Sequence, residues 1–328
     1  MKILLTGGAG YIGSVVLRQL LEKKHLVYCL DILKFGRDSI NSINDPNFKF
    51  FQIDINQIDE FNYFLNTNKF DAVIHLAAIV GDPACKLYSE EAYQTNWTST
   101  KNLIDQCIIT KVEKFIFAST CSNYGKMYDS NEILNENADL KPLSLYAELK
   151  VKCEEYILNQ IDKSNKFFPT ILRFATVYGL SPRMRYDLTV NEFTKDLTLK
   201  RKLLVYGKNF WRPYCHVNDF GRAFIKVLES KVSDVSYNVF NVGDTSENYT
   251  KEMIIDNLKK IIPHPEIDYV TQENDPRDYK VNCDKIRNTI NFKISKTLID
   301  GIKEINYFIN QNKEINTEDQ KYYNIPHD

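Results

Sequence analysis

Tyr146 and Lys150 stand four residues apart in Tyr146-Ala147-Glu148-Leu149-Lys150, the only Tyr-x-x-x-Lys in the chain. At helical spacing a phenol and an ammonium share one face. A free tyrosine holds its proton up to a pKa near 10, so it is a poor base at neutral pH. A neighbouring ammonium favours the phenolate and makes proton abstraction from a hydroxyl feasible. With 20 tyrosines in the chain, the pair gains meaning only from the elements that position it.

The first of these elements is the N-terminus. The apolar run Ile3–Leu5 breaks into Thr6-Gly7-Gly8-Ala9-Gly10-Tyr11-Ile12-Gly13, and Ser14–Glu22 follows with helical periodicity. Strand, glycine turn and helix N-terminus make a cradle for a dinucleotide pyrophosphate. The spacing Gly7-x-x-Gly10-x-x-Gly13 departs from the usual GxGxxG. The next apolar run, Leu26–Leu30, ends in Asp31, placed to meet the adenosine ribose hydroxyls and to repel a 2′-phosphate. These features predict NAD, whose positive nicotinamide would add to the pull of Lys150 on Tyr146. Arg37, six residues on, could accommodate a 2′-phosphate or be an exposed loop charge.

Further strand-like runs fall at Phe48–Ile53, Ala72–Leu76, Lys114–Ala118 and Thr170–Phe174, with helical patterns at Ala92–Ile109 and Tyr146–Asn159. Alternating strands and helices predict a doubly wound parallel sheet of the Rossmann type, with ligands at the C-terminal strand ends. One such end is hydroxyl-rich, Ser119-Thr120-Cys121-Ser122, and another, Ala77-Ala78, is small enough for a cofactor to pass. After Phe174 the pattern changes to loops rich in Arg, Pro and Tyr. A return strand is expected at Val235–Val242 and a helix over Thr250–Ile262, stopped by Pro263. The expected division is 1–177 with about 214–242 as the nucleotide domain, and the rest of 178–328 as a smaller substrate lobe. Asn310–Asp328 reads as a polar surface tail.

The 328 residues are 43% hydrophobic and carry a formal net charge of −1, so no nucleic-acid footprint is expected. The short basic run Lys200-Arg201-Lys202 reads as a solvated turn. No run of eighteen apolar residues could span a bilayer. The chain starts in its first core strand, and its seven scattered cysteines form no CxxC or zinc pattern. Reduced thiols, a cytoplasmic protein and no metal are the expectations.

Five segments, TGGAGYIG, His75-Leu76-Ala77-Ala78, Tyr146-x-x-x-Lys150, Leu172-Arg173-Phe174-Ala175-Thr176-Val177-Tyr178-Gly179 and Arg212-Pro213-Tyr214-Cys215-His216-Val217-Asn218-Asp219, occur in this order. As a set they resemble the nucleotide-sugar epimerase/dehydratase family of extended short-chain dehydrogenases/reductases, over residues 1 to about 290. The resemblance implies Tyr146 as general base, Lys150 on the nicotinamide ribose and Thr120 on the reacting oxygen. It implies cofactor contacts from Gly7, Gly10, Tyr11, Ile12, Gly13, Asp31, Asp54, Ile55, Leu76, Ala77, Ala78 and Val80. Arg212 and Arg277, the latter in Asp275-Pro276-Arg277-Asp278-Tyr279, would grip the substrate diphosphate. Ser122 and Asn191 join them as substrate contacts. Arg183 and Arg185 would act likewise or form structural ion pairs.

Dehydratases of the family carry Asp-Glu directly after the strand-end threonine, where this chain has Cys121-Ser122. Dehydration is therefore not expected. Cys121 would be a small buried residue or a proton donor for epimerisation beside a ketone. The resemblance leaves an NAD-dependent C4 dehydrogenase or a C4 epimerase. The segments 78–85 and 181–191 resemble a subgroup from bacterial surface-polysaccharide clusters that oxidises C4 of GDP-heptose for capsules. That finer likeness implies a GDP- or UDP-linked sugar as substrate, 2-oxoglutarate as a candidate hydride acceptor, and a homodimer.

Overall fold

A computed structural model describes residues 1–129, 131–161, 166–270 and 277–326. The chain opens with β1 (Lys2–Thr6), β2 (Leu26–Leu30), β3 (Phe48–Phe51), β4 (Ala72–His75), β5 (Lys114–Thr120) and β6 (Phe168–Phe174). It then forms β7 (Thr176–Tyr178), β8 (Leu203–Tyr206) and β9 (Trp211–His216), and returns as β10 (Asn238–Val242). Two short strands follow, β11 (Asn248–Thr250) and β12 (Ile267–Val270). The central sheet is parallel, in the order β10-β6-β5-β4-β1-β2-β3. This is the doubly wound α/β fold expected. Strand order reverses between β1 and β4, which opens a crevice at their C-terminal ends.

Residue alternation within β1 shows why the sheet is buried on both faces. Ile3 and Leu5 join the cluster of Val16, Leu20, Phe220 and Phe224, from helices Gly13–Glu22 and Val217–Glu229. Leu4 joins Phe61, Leu103, Cys153 and Ile157 on the opposite face, under helices Ile58–Thr67, Thr100–Ile109 and Leu145–Leu158. Full burial of each such side chain stabilises the fold by about 1.5–3 kcal/mol. β11, β9 and β7 form a second sheet, and β12 pairs with β8. All seven cysteines are free and buried. No helix among the described residues is long and apolar enough to cross a membrane.

Three elements differ from expectation. The helix expected over 92–109 is interrupted: a short helix Ser89–Tyr93 runs into a π-helical turn, Gln94–Ser99, before Thr100–Ile109. The return strand begins at Asn238, because Val232–Val235 forms a helical turn and Tyr237 adopts φ 53°. The segment after helix Leu298–Gln311 is not a loose surface tail. It folds back against the protein, with Thr317 and Tyr323 buried.

Candidate functional site

The crevice at the strand ends is a cavity of about 440 Å³. Gly7 has φ 74°, donates to the Leu30 carbonyl at 2.7 Å, and has no room for a Cβ, which would lie 2.7 Å from the Ala77 nitrogen. A Cβ on Gly13 would collide with the Gly7 carbonyl. β1, the glycine turn and the start of helix Gly13–Glu22 therefore pack closely only with glycine at these positions. That helix has no side-chain cap at its N-terminus, so its end is open to an anion. Asp31 accepts from the Ala9 nitrogen at 3.0 Å and the Leu33 nitrogen at 2.8 Å. Burial nevertheless raises its pKa above the ordinary aspartate value. Arg37, the residue that could have received a 2′-phosphate, lies over the Phe50 ring at 4.7 Å and does not line the cavity.

Asp54, Ile55, Leu76, Ala77, Ala78 and Val80 complete this side of the wall. Two buried polar groups hold it. The Thr6 hydroxyl and the His75 Nδ1 are 2.7 Å apart, and His75 Nε2 lies 2.9 Å from the Thr100 hydroxyl. Burial, with the Lys150 charge, pulls His75 down to about 3, so the ring is a neutral bridge. Asn96, in the π-helical turn, pins the loop after β4. Its amide accepts from the Ile79 nitrogen and donates to the Ile79 carbonyl, both at 2.8 Å. Sequence reasoning missed Asn96, which looks like any polar residue in a helix; π-helical turns often mark functional sites.

Tyr146, Lys150, Thr120 and Ser122 line the same cavity, Tyr146 packed in the cluster of Ile79 and Cys85 from the segment after β4. Ser144 caps the helix Leu145–Leu158, accepting from the Ala147 nitrogen, and so sets where Tyr146 begins its first turn. Lys150 Nζ donates to the Ala118 carbonyl at 2.7 Å and lies 5.9 Å from the centre of the Tyr146 ring. The expected electrostatic pairing is overridden in the protein alone. Burial, with Cys85 and Asp82 nearby, pushes the Tyr146 phenol above its ordinary value, while burial pulls Lys150 down to about 8. The Thr120 hydroxyl oxygen accepts from the Ser122 nitrogen at 3.1 Å, which leaves its O–H to donate into the cavity. Cys121 faces away from the cavity wall and donates to the Arg173 carbonyl at 3.3 Å. It is a buried residue, and burial holds its thiol protonated.

The arginines fall into two groups, and all four line the cavity. Arg212 lies over Tyr279 at 5.1 Å, and Arg277 pairs with Asp82 at 2.7 Å. Asp82 also accepts from the Ser144 hydroxyl, which ties this group to the tyrosine helix. Asp275 and Pro276 of the Arg277 motif lie outside the described residues. Arg185 makes a two-pronged pair with Asp187 at 2.9 and 2.8 Å, and Arg183 is buried over Phe35. Asn191 does not belong to the cavity wall. It is fully buried, accepts from the Gly179 nitrogen, and donates to the Arg185 carbonyl and the Tyr11 hydroxyl. Its amide is taken up in joining the glycine turn to the arginine loop. Phe35 and Asn324 also line the cavity, and neither carried a motif.

The open helix end, the close-packed glycines and the carboxylate beside them fit a dinucleotide such as NAD. Residues 3–243 match the model of the NAD dependent epimerase/dehydratase family. The chain is 27% identical to Protein CapI of Staphylococcus aureus, over 93% of this chain and 97% of that one. The UDP-glucose 4-epimerase of Thermotoga maritima, solved with UDP-glucose, has a TM-score of 0.83 at 25% identity, covering 95% of this chain and 100% of the other. The UDP-glucuronic acid 4-epimerase of Bacillus cereus, solved with UDP-glucuronic acid and NAD, also gives 0.83, at 27% identity over 95% and 99%.

Proposed function

The chain belongs to the NAD-dependent epimerase/dehydratase family, and from that premise we propose that it oxidises the C4 hydroxyl of a nucleotide-activated sugar to a ketone. The observation that carries this reading is that Tyr146, Lys150 and Thr120 line the same cavity as the glycine turn. When bound, NAD supplies the hydride acceptor and a positive charge beside the phenol. Tyr146 takes the C4 hydroxyl proton as the C4 hydride leaves, and Thr120 donates to the same oxygen. Lys150, anchored on Ala118, holds the nicotinamide ribose, and Asp31 accepts from the adenosine ribose. Arg212 and Arg277 bind the sugar-nucleotide diphosphate.

No acid follows Thr120, and Cys121 is turned away, so water loss from the sugar is not part of the reaction. The 4-keto sugar then leaves for surface-polysaccharide synthesis. GDP-heptose is the first substrate of choice, with 2-oxoglutarate as the acceptor that reoxidises the cofactor. The similarity to UDP-sugar 4-epimerases favours a second reading, in which the hydride returns to the other face of the ring.

The test is the near-ultraviolet absorbance of reduced nicotinamide in the purified protein, followed on adding GDP- and UDP-sugars with and without 2-oxoglutarate. A signal bleached by the keto acid and regenerated by a sugar nucleotide identifies the dehydrogenase. A signal indifferent to the keto acid, with a new sugar isomer formed, identifies the epimerase. Tyr146→Phe should lower turnover about 100- to 10,000-fold; full turnover in that variant refutes the assigned base.

A further inference from the structure

The carboxylate of Asp82 stands where three segments meet. Asp82 opens the short helix Asp82–Leu87, directly after Gly81, which adopts φ 90°. Its Oδ1 accepts from the Ser144 hydroxyl at 2.7 Å, and its Oδ2 pairs with Arg277 Nη1, also at 2.7 Å. Ser144 is the cap of helix Leu145–Leu158, two residues before Tyr146. Asp82, Arg277 and Tyr146 all line the cavity. The group that holds Arg277 is thus bonded to the residue that starts the tyrosine helix.

The backbone that carries Arg277 is anchored without Asp82. The Asp278 nitrogen donates to the Gly125 carbonyl at 3.2 Å, and the Asp278 carbonyl accepts from the Met127 nitrogen at 2.8 Å. The Asp278 side chain accepts from the Trp211 nitrogen at 2.8 Å, and the Tyr279 nitrogen donates to the Trp211 carbonyl at 3.2 Å. The Tyr279 hydroxyl lies 3.4 Å from Ser122 Oγ. These bonds fix residues 278–279 to β9 and to the turn after β5, so what Asp82 adds is a hold on the guanidinium itself.

A long side chain loses rotamer freedom when it grips a ligand, and one already held in place loses less. A guanidinium carries five donors in a planar fork, so one paired with a carboxylate through Nη1 can meet phosphate oxygens through its others.

We propose that Asp82 is a positioning residue for the oxidation: it keeps Arg277 in register with the start of the tyrosine helix, so that a diphosphate on Arg277 sets the sugar C4 hydroxyl at Tyr146. The inference rests on the reading of Arg277 as a diphosphate ligand given above. The separation of diphosphate and base is then defined by a short path, from Arg277 through Asp82 and Ser144 to the helix. Binding energy from the nucleotide serves to orient the reacting carbon.

The test combines calorimetry with UDP, GDP and NAD and steady-state turnover of the sugar nucleotide found in the absorbance assay. In Asp82→Asn the amide oxygen still accepts from Ser144, while the charge that holds Arg277 is gone. This variant should weaken the nucleoside diphosphate about threefold to tenfold, lower kcat about tenfold, and leave NAD affinity within about twofold. Arg277→Met should weaken the nucleoside diphosphate about tenfold or more, and adding Asp82→Asn to it should cost no further affinity. If Arg277→Met changes nothing, the diphosphate assignment falls and the proposal with it. If Arg277→Met weakens binding while Asp82→Asn leaves it unchanged or tightens it, the proposal alone is overturned. An Asp82→Asn loss that persists in the Arg277→Met background overturns it as well. Asp82→Glu keeps the charge but moves it by one methylene, and should retain nucleoside-diphosphate affinity within about threefold while kcat still falls several-fold. If Asp82→Asn does not fold, Asp82→Glu decides, and an unchanged kcat in that variant refutes the register.

Discussion

At the scale of single residues, the tyrosine–lysine pair separates what spacing reveals from what burial decides. Four-residue spacing was enough to put Tyr146 and Lys150 on one helix and in the lining of one cavity. It carried no information on solvent, and burial moves both groups toward their neutral forms. The sign of the resulting pH dependence follows from Lys150. Its folded pKa of about 8 lies below the ordinary 10.5, so the charged side chain destabilises the cofactor-free protein fully below pH 8. That penalty fades as pH rises from about 8 to 10.5, because the unfolded chain holds the proton longer. Lys150→Met should therefore raise urea stability of the cofactor-free protein at pH 7 by about 1–3 kcal/mol, with the gain shrinking toward pH 10. A gain that grows with pH would contradict the burial argument.

At the scale of elements, the site depends on a buried ion pair one turn beyond Lys150. Glu154 pairs with Arg173 of β6 at 2.7 Å, accepts from Asn123 at 2.8 Å and bonds to the Ser119 hydroxyl of β5. Arg173 also donates to the Tyr124 hydroxyl, which donates to Asn241 of β10. The tyrosine helix is thereby fixed against the strand end that carries Thr120. Glu154→Gln leaves Arg173 buried without its counter-charge and should cost about 3–5 kcal/mol in denaturant melts; a cost under about 1 kcal/mol would show that the pair is not what joins helix to sheet. Continuous apolar runs made β1, β2 and β4–β6 legible in sequence, since strands buried on both faces carry little else. The π-helical turn was not legible, because it serves a bond from Asn96 to a backbone 17 residues away. Nor was the fold-back of the C-terminal segment: polar residues 312–326 resemble a tail until Arg183, Tyr186 and Asp187 give them partners.

At the scale of the whole molecule, helices Thr100–Ile109 and Leu145–Leu158 lie on one face of the sheet. Leu87, Tyr93 and Ile109 are exposed apolar side chains in and near them. We expect this face to join two copies, so sedimentation velocity should give twice the 38.3 kDa of one chain; a single species at the chain mass would remove the dimer. The seven buried thiols have a different consequence. Cys29 lies directly under Gly8, Cys85 donates to the Ile79 carbonyl, and Cys153 donates to the Asn96 carbonyl, while Cys107 sits in the core cluster of Leu103, Ile104 and Phe115. Burial suppresses the thiolate at all four, so an alkylating reagent reaches each only when its own neighbourhood opens. The chain therefore carries a set of built-in clocks on the breathing of its cofactor wall. Adding NAD should slow the labelling of Cys29 and Cys85 more than that of Cys107, and equal slowing of all would mean that the protein opens as one unit.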